Sequence, residues 1–303
     1  MNDGGRIYAG GPITLQSANL INNGGTLSVA SMALSQPSFS NNGGTLNVSG
    51  AFTGNLGTFD NSAGTLNAGS LNIATSGDLV NTDGVLTSAT DATLSVGGTL
   101  ENTRGTISAT GALTANVAGT TVNDAGTLVS NQALTLHTGS LSNTQGSIQS
   151  AQAGVQLAVA NQLLNGTGGT IGAATDLNVQ AGSLVNGGSL RGANDATVAV
   201  GGTLTNDGSI TTGRHATIAA GSLQGSSTGV LGAGIQSDGT LAAAGDLVVT
   251  TSGALVAHGT NLAAGNATLH GASVDLSSSK TSAANIAITA TQGNVTTSQA
   301  AIT

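Results

Sequence analysis

Apolar and polar positions follow a pattern along this chain that returns about every 20 residues. The repeated stretch reads Leu-x-Asn-x-x-Gly-x-(Leu/Ile), and Leu141 to Ile148 is one copy of it. Other close copies run from Leu20 to Leu27, Phe39 to Leu46, Phe59 to Leu66, Leu79 to Leu86 and Leu100 to Ile107. A fixed period of about 20 to 50 residues is typical of solenoids, in which each repeat packs against the next.

Each period contains three short runs of alternating polarity. In the third copy, the inward positions pair as Phe59 with Asn61, Leu66 with Ala68, and Leu71 with Ile73. Because side chains of a strand alternate between its two faces, each of these pairs points the same way. Gly-rich and Asn-rich or Asp-rich corners separate the runs, and no helical period appears. The pattern therefore predicts an all-β parallel β-helix with about 20 residues and three short strands per turn.

An Asn recurs two residues after the inward Leu of most copies, so its amide is predicted to point into the core. Stacked amides about 4.8 Å apart can donate to one another along the axis. Such bonds satisfy groups whose burial otherwise costs about 1 to 3 kcal/mol each. A row of amides that binds sugar or metal is the alternative. The predicted structural column consists of Asn22, Asn41, Asn61, Asn81, Asn102, Asn123, Asn143, Asn165, Asn186 and Asn206.

The regularity of the pattern divides the chain into three predicted parts. Residues 1–223 form regular turns with the Asn column, and residues 224–252 form irregular or bulged turns. Within the second part, Gln224 to Asp238 is interpreted as an inserted loop or a bulged turn, and Gly225 falls at the Asn position. Residues 253–303 continue the β-helix with variant repeats and a changed corner.

Composition narrows the class of protein further. The 303 residues include 48 Gly, one Tyr, three Phe and no Trp, which favours a thin aliphatic core. The net charge is −8, and the five Lys and Arg residues are scattered, so we expect no nucleic-acid partner. The absence of Cys excludes disulfides. No apolar run approaches the about 18 residues of a membrane span, and no signal peptide is recognised. The repeat is already running at Gly5 to Ile7, so we interpret the chain as a segment of a longer one.

Candidate chemistry is sparse. The only Glu is Glu101, and each Asp lies singly in a predicted corner, where turn hydrogen bonding favours it. A carboxylate pair between adjacent turns, for example Asp78 with its neighbours, would suit a polysaccharide-acting enzyme. The four His residues show no metal-ligand spacing and are predicted to lie at the surface. We therefore expect no enzyme activity, no cofactor and no metal, with the polysaccharide-acting enzyme as an alternative.

A row of hydroxylated residues precedes the second inward Leu of most copies. Thr is a good exposed strand residue, and the alternative is an ice-binding face, which thermal hysteresis would reveal. The row consists of Thr26, Thr45, Thr65, Thr106, Thr127, Ser147, Thr170, Ser189, Ser209 and Thr240.

The repeated Leu-x-Asn-x-x-Gly-x-Leu motif, together with Ser273 to Thr281 and Asn285 to Val295, resembles the filamentous haemagglutinin family over nearly the whole chain. That family consists of large two-partner-secretion exoproteins and includes CdiA-type effectors of contact-dependent growth inhibition. The resemblance implies a right-handed β-helix shaft on the outer face of a Gram-negative outer membrane, with an outer-membrane transporter as its export partner.

The same resemblance implies a function as a rigid stalk that presents adhesive or toxin-delivery modules to a host or a neighbouring cell. The alternative is an adhesin segment that itself binds a host glycan or receptor. The family's secretion domain carries Asn-Pro-Asn motifs, whereas Pro12 and Pro37 lie in other contexts. The segment therefore resembles the interior of the shaft.

Overall fold

The computed structural model describes residues 1–15, 19–236, 238–242 and 244–303, and its regular elements in these ranges are all β-strands. The chain divides into two compact units, Met1–Ala151 and Gln152–Thr303. The described residues contain no helix of the length and hydropathy that a membrane span needs.

Among its described residues, the first unit contains fourteen strands. Their bounds are β1 Arg6–Thr14, β2 Asn19–Ile21, β3 Thr26–Ser40, β4 Thr45–Asp60, β5 Thr65–Thr75, β6 Leu79–Val80, β7 Val85–Ser88, β8 Ala92–Val96, β9 Leu100–Glu101, β10 Thr106–Ala109, β11 Leu113–Val122, β12 Thr127–Ser130, β13 Leu134–Ser142 and β14 Ser147–Ser150.

The remaining strands of the described residues lie in the second unit. Their bounds are β15 Val155–Asn165, β16 Thr170–Ala173, β17 Leu177–Asn186, β18 Ser189–Gly192, β19 Ala196–Asn206, β20 Ser209–Thr212, β21 Ala216–Gly225, β22 Val230–Ala233, β23 Leu247–Thr251, β24 Ala254–Ala257, β25 Thr260–Ala263, β26 Asn266–Gly271, β27 Ser273–Asp275, β28 Lys280–Ser282, β29 Asn285–Ala290, β30 Val295–Thr296 and β31 Ala301–Ile302.

A turn in the first unit has three faces, which we number from the Asn corner. Face 1 is represented by Thr65–Ala68, face 2 by Leu71–Thr75 and face 3 by Leu79–Val80. Every strand on a face pairs in parallel with the equivalent strand one turn away, as Leu66 does with Leu46 and with Leu86. The predicted parallel β-solenoid is thus confirmed, with about fifteen turns of about 20 residues in the two units together.

The core of the first unit is a set of like side chains in columns. Leu27, Leu46 and Leu66 follow one another on face 1, and each is fully buried. On face 3 the rings of Phe39 and Phe59 stack at 4.9 Å with an interplanar angle of 5°. A fully buried Leu contributes about 1.5 to 3 kcal/mol. Because a single turn cannot enclose such columns, stability depends on contacts between neighbouring turns.

In some turns, one strand continues from face 1 into face 2 without a complete break. Where face 1 meets face 2, the register shifts between Val29 and Met32 and again between Val48 and Ala51. These shifts are β-bulges, which bend a strand sharply while it stays hydrogen bonded. The bends therefore allow β3 and β4 to continue around the coil.

The second unit has the same faces but carries an insertion. His215 lies 20 residues after Asp195, its counterpart in the previous turn, whereas Asp246 lies 31 residues after His215. The extra residues fall in 234–246, where Ile235 forms an antiparallel bridge with Leu241. The Arg191 Nη2 group donates to the Ile235 carbonyl at 3.0 Å and holds this hairpin to the coil.

The interruption therefore begins about ten residues later than Gln224, where the sequence pattern placed it. Gly225 in β21 still pairs with Asn206, and Leu231 in β22 still pairs with Ile210. Ser237 and Ala243, both within the predicted irregular part, lie outside the described residues. The Gly-rich stretch before Val230 is an ordinary corner.

Candidate functional site

The predicted Asn column lies inside the first unit as a chain of hydrogen bonds. The Asn22 Nδ2 group donates to Asn41 Oδ1 at 2.7 Å, and Asn41 donates to Asn61 at 2.8 Å. The same bond, at 2.7 to 2.8 Å, joins Asn61, Asn81, Asn102, Asn123 and Asn143 in succession. All of these side chains have 0 % exposure. We call this row the Asn ladder.

Each ladder amide also binds backbone carbonyls of its own corner and of the next turn. Asn61 Nδ2 approaches the Gly64 carbonyl at 3.2 Å and the Val85 carbonyl at 3.1 Å. The Gly64 amide in turn donates to the Asn61 carbonyl at 2.9 Å and closes the corner. Burial of an amide is tolerated when its donors and acceptors are satisfied, as they are here.

The Gly of the motif is required by the closeness of the neighbouring turn. A Cβ atom at Gly64 would lie 2.2 Å from the Asn41 carbonyl oxygen and 2.7 Å from Asn61 Oδ1. The residue before it adopts a left-handed conformation, with φ of 51° at Ala63 and 55° at Asp83. The Asn-x-x-Gly spacing therefore encodes both the tight contact and the shape of the corner.

Asn2 extends the ladder by one residue that the sequence pattern missed. Its Nδ2 group donates to Asn22 Oδ1 at 2.7 Å. The sequence pattern missed Asn2 because the motif was recognised by the Leu two positions before each Asn. The signal that identifies it is the Asn-x-x-Gly spacing of Asn2 to Gly5, which matches Asn22 to Gly25.

In the second unit the ladder is shorter. Asn165 donates to Asn186, and Asn186 to Asn206, each at 2.8 Å. Gly225 pairs with Asn206 and takes the next position in the row, and Ala257 pairs with Gly225 in the turn after it. A second internal polar contact lies on face 1, where Asn261 Nδ2 donates to Thr281 Oγ1 at 3.1 Å.

Acidic residues at the corners form a second, external set of contacts between turns. Asp78 Oδ1 accepts the Thr99 amide at 2.7 Å, Asp91 Oδ1 accepts the Ala112 amide at 2.8 Å, and Asp124 Oδ1 accepts the Thr144 amide at 2.8 Å. The sequence interpretation expected such carboxylates to bind within their own turn. These three instead bind an amide of the following turn, so they join successive turns.

Asp78, proposed as one member of a carboxylate pair, lies beside Thr99 in the following turn. Glu101 accepts the hydroxyl hydrogen of Thr103. Carboxylates on adjacent turns do occur at Asp176 and Asp195, where Asp176 Oδ1 accepts the Asp195 amide at 3.2 Å. The sequence interpretation missed this pair, because only the register reveals which corners are neighbours.

The Asp195 carboxylate is held by basic and backbone groups. Arg214 donates to both of its oxygens, at 3.2 Å and 2.6 Å, and the His215 amide donates at 3.1 Å. The Arg214 hydrogen bond, with smaller help from the His215 amide, keeps the pKa of Asp195 below its usual value. In the first unit, Arg104 lowers the pKa of Asp83 in the same way.

Two of the four histidines, His215 and His258, lie beside aspartates. His215 Nδ1 accepts the Asp246 amide at 3.2 Å, and His258 Nε2 lies 3.1 Å from Asp275 Oδ2. Within the ranges that the structure describes, no group of three or more His, Asp or Glu residues could hold a metal ion.

Most residues of the hydroxylated row pair with one another on successive turns and so form a column. Thr45 pairs with Thr26 and Thr65, and Thr106 pairs with Thr127. Val85 occupies the position between Thr65 and Thr106. Thr240 does not belong to the row, because it lies in the inserted hairpin and donates its hydroxyl hydrogen to Asp238 at 2.6 Å. The assignment of Thr240 to this column was therefore wrong.

These features define a class: a β-solenoid repeat protein whose turns are joined by internal amides and external carboxylates. The family model described as the haemagglutinin repeat matches residues 1–36, 153–250 and 231–303. Because these matches cover more than half of the chain, the chain belongs to the haemagglutinin repeat family, and the predicted resemblance is confirmed.

Two curated proteins share segments of the chain. Toxin CdiA of Yersinia pestis is 52% identical over 80 residues, which is 26% of this chain and 2% of that protein. The tRNA nuclease CdiA-2 of Burkholderia pseudomallei strain 1026b is 59% identical over 70 residues, which is 23% of this chain and 2% of that protein. The matched segment thus spans a small part of either relative. No solved structure matches the chain significantly.

Proposed function

We propose that this chain is a rigid spacer segment of a large CdiA-like exoprotein and carries no catalysis of its own. The observation that supports the proposal most directly is the in-register pairing of each strand with its equivalents one turn away. In such a stack every added turn extends the structure by about 4.8 Å. The number of turns in a repeat region therefore sets the length of that region.

The two relatives support the proposal that the spacer and the effector activity lie in different parts of the parent protein. Both are named for toxic or nuclease activity, and each matches this chain over 2% of its length. Asp78 and Glu101 are occupied by a neighbouring amide and by a hydroxyl. We expect the effector activity to lie elsewhere in the parent chain, so that substitution of Asp78 or Glu101 leaves it unchanged.

The family also suggests a route of export. We propose that an outer-membrane transporter of the two-partner type passes the unfolded chain to the cell surface. There each new turn would bury its apolar columns against the previous one. Leu141 is a buried member of face 3, so Leu141→Arg should fray the stack locally and slow secretion. Unchanged secretion would count against turn-by-turn folding.

A deletion of whole turns tests the spacer role. Removal of residues 62–102 joins Asn61 to Thr103 and preserves the corner Asn-x-x-Gly. The first unit should lose two turns and about 10 Å of length, and it should remain folded. Small-angle scattering measures the change in maximum dimension. In the parent exoprotein, a distal epitope should move closer to the cell surface.

An out-of-phase deletion provides the control. Removal of residues 62–92 takes away about one and a half turns and places face 1 residues opposite face 2 residues. This variant should unfold the first unit or lower its stability strongly. An unchanged dimension after the in-phase deletion, or equal tolerance of both deletions, would contradict the proposal.

The alternative of direct adhesion retains one supporting observation. An open groove on the surface of the first unit is lined by uncharged residues, among them Tyr8, Asn47 and Asn67.

A further inference from the structure

Four Asn residues of this chain precede a Gly, and they lie in two kinds of environment. Asn165 and Asn186 are ladder members with 0 % exposure. Asn23 and Asn42 each follow a ladder Asn and are exposed at the surface of the first unit. Asn is a thermolabile residue, and a following Gly has no side chain to keep its backbone nitrogen away from the Asn side chain. The exposed pair is therefore open to reaction.

The side chain of Asn23 is held by the following turn. Its Oδ1 atom accepts the Ser40 hydroxyl hydrogen at 2.7 Å and the Asn42 amide hydrogen at 3.2 Å. Asp124, at the equivalent position of a later corner, is held in the same way by a hydroxyl and an amide of the next turn. Because a backbone N–H needs an acceptor, it is the oxygen of the Asn23 amide that faces the next turn. The side chain can rotate only when both bonds break.

The side chain of Asn42 occupies the same corner position without this anchor. The next turn carries Asp60 at the position equivalent to Ser40. Asp60 Oδ1 accepts both the Ser62 amide hydrogen, at 2.9 Å, and the Ser62 hydroxyl hydrogen, at 2.6 Å. Among the residues that the structure describes, none forms a hydrogen bond with the Asn42 side-chain amide. That side chain therefore keeps its rotamer freedom.

The backbone is alike at the two corners. The Gly24 amide donates to the Asn42 carbonyl at 3.0 Å, and the Gly43 amide donates to the Ser62 carbonyl at 2.9 Å. A Cβ added at Gly24 or Gly43 would meet no atom within 4 Å, so both corners are open to solvent. The difference between the two Asn residues thus lies in how firmly their side chains are held.

We propose that Asn42 is a site of spontaneous deamidation, and that Asp60 makes it reactive by taking the donors of the next turn for itself. Base removes the proton of the Gly43 amide, and the nitrogen forms a bond to Asn42 Cγ. The Cγ–Nδ2 bond then breaks, and Nδ2 takes up a proton and leaves as ammonia. Water opens the resulting cyclic imide at either carbonyl and gives an aspartyl or an isoaspartyl residue at position 42.

The two products have different effects on the solenoid. An aspartyl residue keeps the main chain and adds a negative charge, and Asp124 shows that the corner accepts a carboxylate. An isoaspartyl residue adds an atom to the main chain between Asn41 and Gly44, whose 2.9 Å bond closes the corner. The second product should break that bond and loosen the ladder at Asn41. The spacer role does not depend on this reaction.

Two variants should protect Asn42 without disturbing the fold. Asp60→Ser gives the next turn the residue type that holds Asn23. Gly43→Ala places a Cβ beside the attacking nitrogen, and Ala63 shows that Ala adopts the left-handed conformation at this position, with φ of 51°. Asp91→Ser removes a carboxylate from a different corner and is the matched control.

The full chain is kept in mildly alkaline buffer, digested at acid pH and mapped by mass spectrometry, with isoaspartyl content measured by enzymatic carboxyl methylation. Asn42 should react at least about tenfold faster than Asn23, a difference of about 1.4 kcal/mol in activation free energy. Asn165 and Asn186 should stay intact in the folded chain. In denaturant all four should react at similar rates, since each precedes Gly.

The variants then assign the cause. Asp60→Ser and Gly43→Ala should each slow Asn42 to the rate of Asn23 or below, and Asp91→Ser should change neither rate. Ser40→Ala removes one of the two bonds to Asn23 and should speed its reaction. Equal rates at Asn23 and Asn42 in the folded chain, an intact Asn42, or a rate at Asn42 that is insensitive to Asp60→Ser would overturn the proposal.

Discussion

The corner at Asn61 and the corner at Leu276 have the same backbone but opposite interiors. The Gly64 amide donates to the Asn61 carbonyl at 2.9 Å, and the Ser279 amide donates to the Leu276 carbonyl at 3.0 Å. The third residue of each corner is left-handed, with φ of 51° at Ala63 and 59° at Ser278. Yet one corner buries an amide and the other buries a Leu.

This difference shows that the turn does not need Asn to form its corner. What Asn61 adds is a set of bonds to the amide above, the amide below and two carbonyls. These bonds have value only when the neighbouring turns also carry Asn. The ladder is therefore a collective feature, and a single member cannot be exchanged independently of its neighbours.

The largest effect is expected for Asn81→Leu, which places in the ladder the type of side chain that is buried at the Leu276 corner. The change removes the shortest of the three hydrogen bonds that Asn61 Nδ2 donates. It also leaves Asn102 Oδ1 without the Asn81 donor, and the carbonyls of Gly84 and Thr106 with one donor fewer. Unsatisfied buried groups cost about 1 to 3 kcal/mol each, so we expect a loss of about 3 kcal/mol.

Amide hydrogen exchange of the first unit should report this loss locally, since a repeat protein need not unfold in one step. Asn72→Leu, at an exposed position, is the control. Equal protection in both variants would show that the ladder contributes nothing to stability.

A smaller effect is expected from exchanging the fourth corner residue. Gly84→Ser would place a Cβ 2.2 Å from the Asn61 carbonyl oxygen, and overpacking of this kind costs about 2 kcal/mol. The reverse change, Ser279→Gly, loses only the contact of Ser279 with Thr281 at 3.2 Å and should cost about 1 kcal/mol or less. Chemical denaturation of both variants measures the asymmetry, and a greater loss for Ser279→Gly would refute it.

Gly225→Asn should lengthen the shorter ladder by one member. Asn206 would gain an acceptor for its Nδ2 group, while the new Cβ would lie 3.2 Å from the Val256 carbonyl oxygen and need a slight adjustment. We expect a gain of up to about 1 kcal/mol. Gly225→Ala supplies the Cβ without the amide, so the two variants should differ. If the Asn variant is no more stable than the Ala variant, neighbouring amides do not stabilise one another at this corner.

The smallest effect is expected for Gly at the left-handed position. Ala63→Gly and Ser278→Gly each relieve an unfavourable φ at the cost of chain entropy, so each should change stability by about 0.5 kcal/mol. Because the two backbones are alike, the two changes should agree. Thermal denaturation that separates them by more than about 1 kcal/mol would show that the corners differ beyond their buried side chain.

The repeat period was sufficient to predict the fold and the positions of the internal Asn residues, because an Asn two residues after an inward Leu must share its direction. The same reasoning missed Asn2, because it depended on reading the residue two positions before each Asn. The Gly-rich segment Gly225 to Gly229 looked like an interruption although it is a corner. Thr240 fitted the repeat pattern although it lies in a hairpin.

Contacts between turns were harder to predict for a physical reason. An Asp in a corner can accept an amide of its own turn or of the next one, and sequence spacing does not distinguish them. The bulge beside Asn47 is a shift of strand register between Val48 and Ala51. Register depends on all neighbouring turns, so these features appear only in three dimensions.

The central claim is that buried Asn amides of successive turns bind one another in a continuous row, and side-chain amide exchange tests it most directly. With Asn labelled by ¹⁵N in the full chain, the Nδ2 hydrogens of Asn41, Asn61 and Asn81 should exchange at least about 100-fold more slowly than those of exposed Asn72, a difference of about 2.8 kcal/mol in opening free energy. Exchange of the internal amides at the rate of Asn72 would contradict the ladder and the stacking of turns on which it depends.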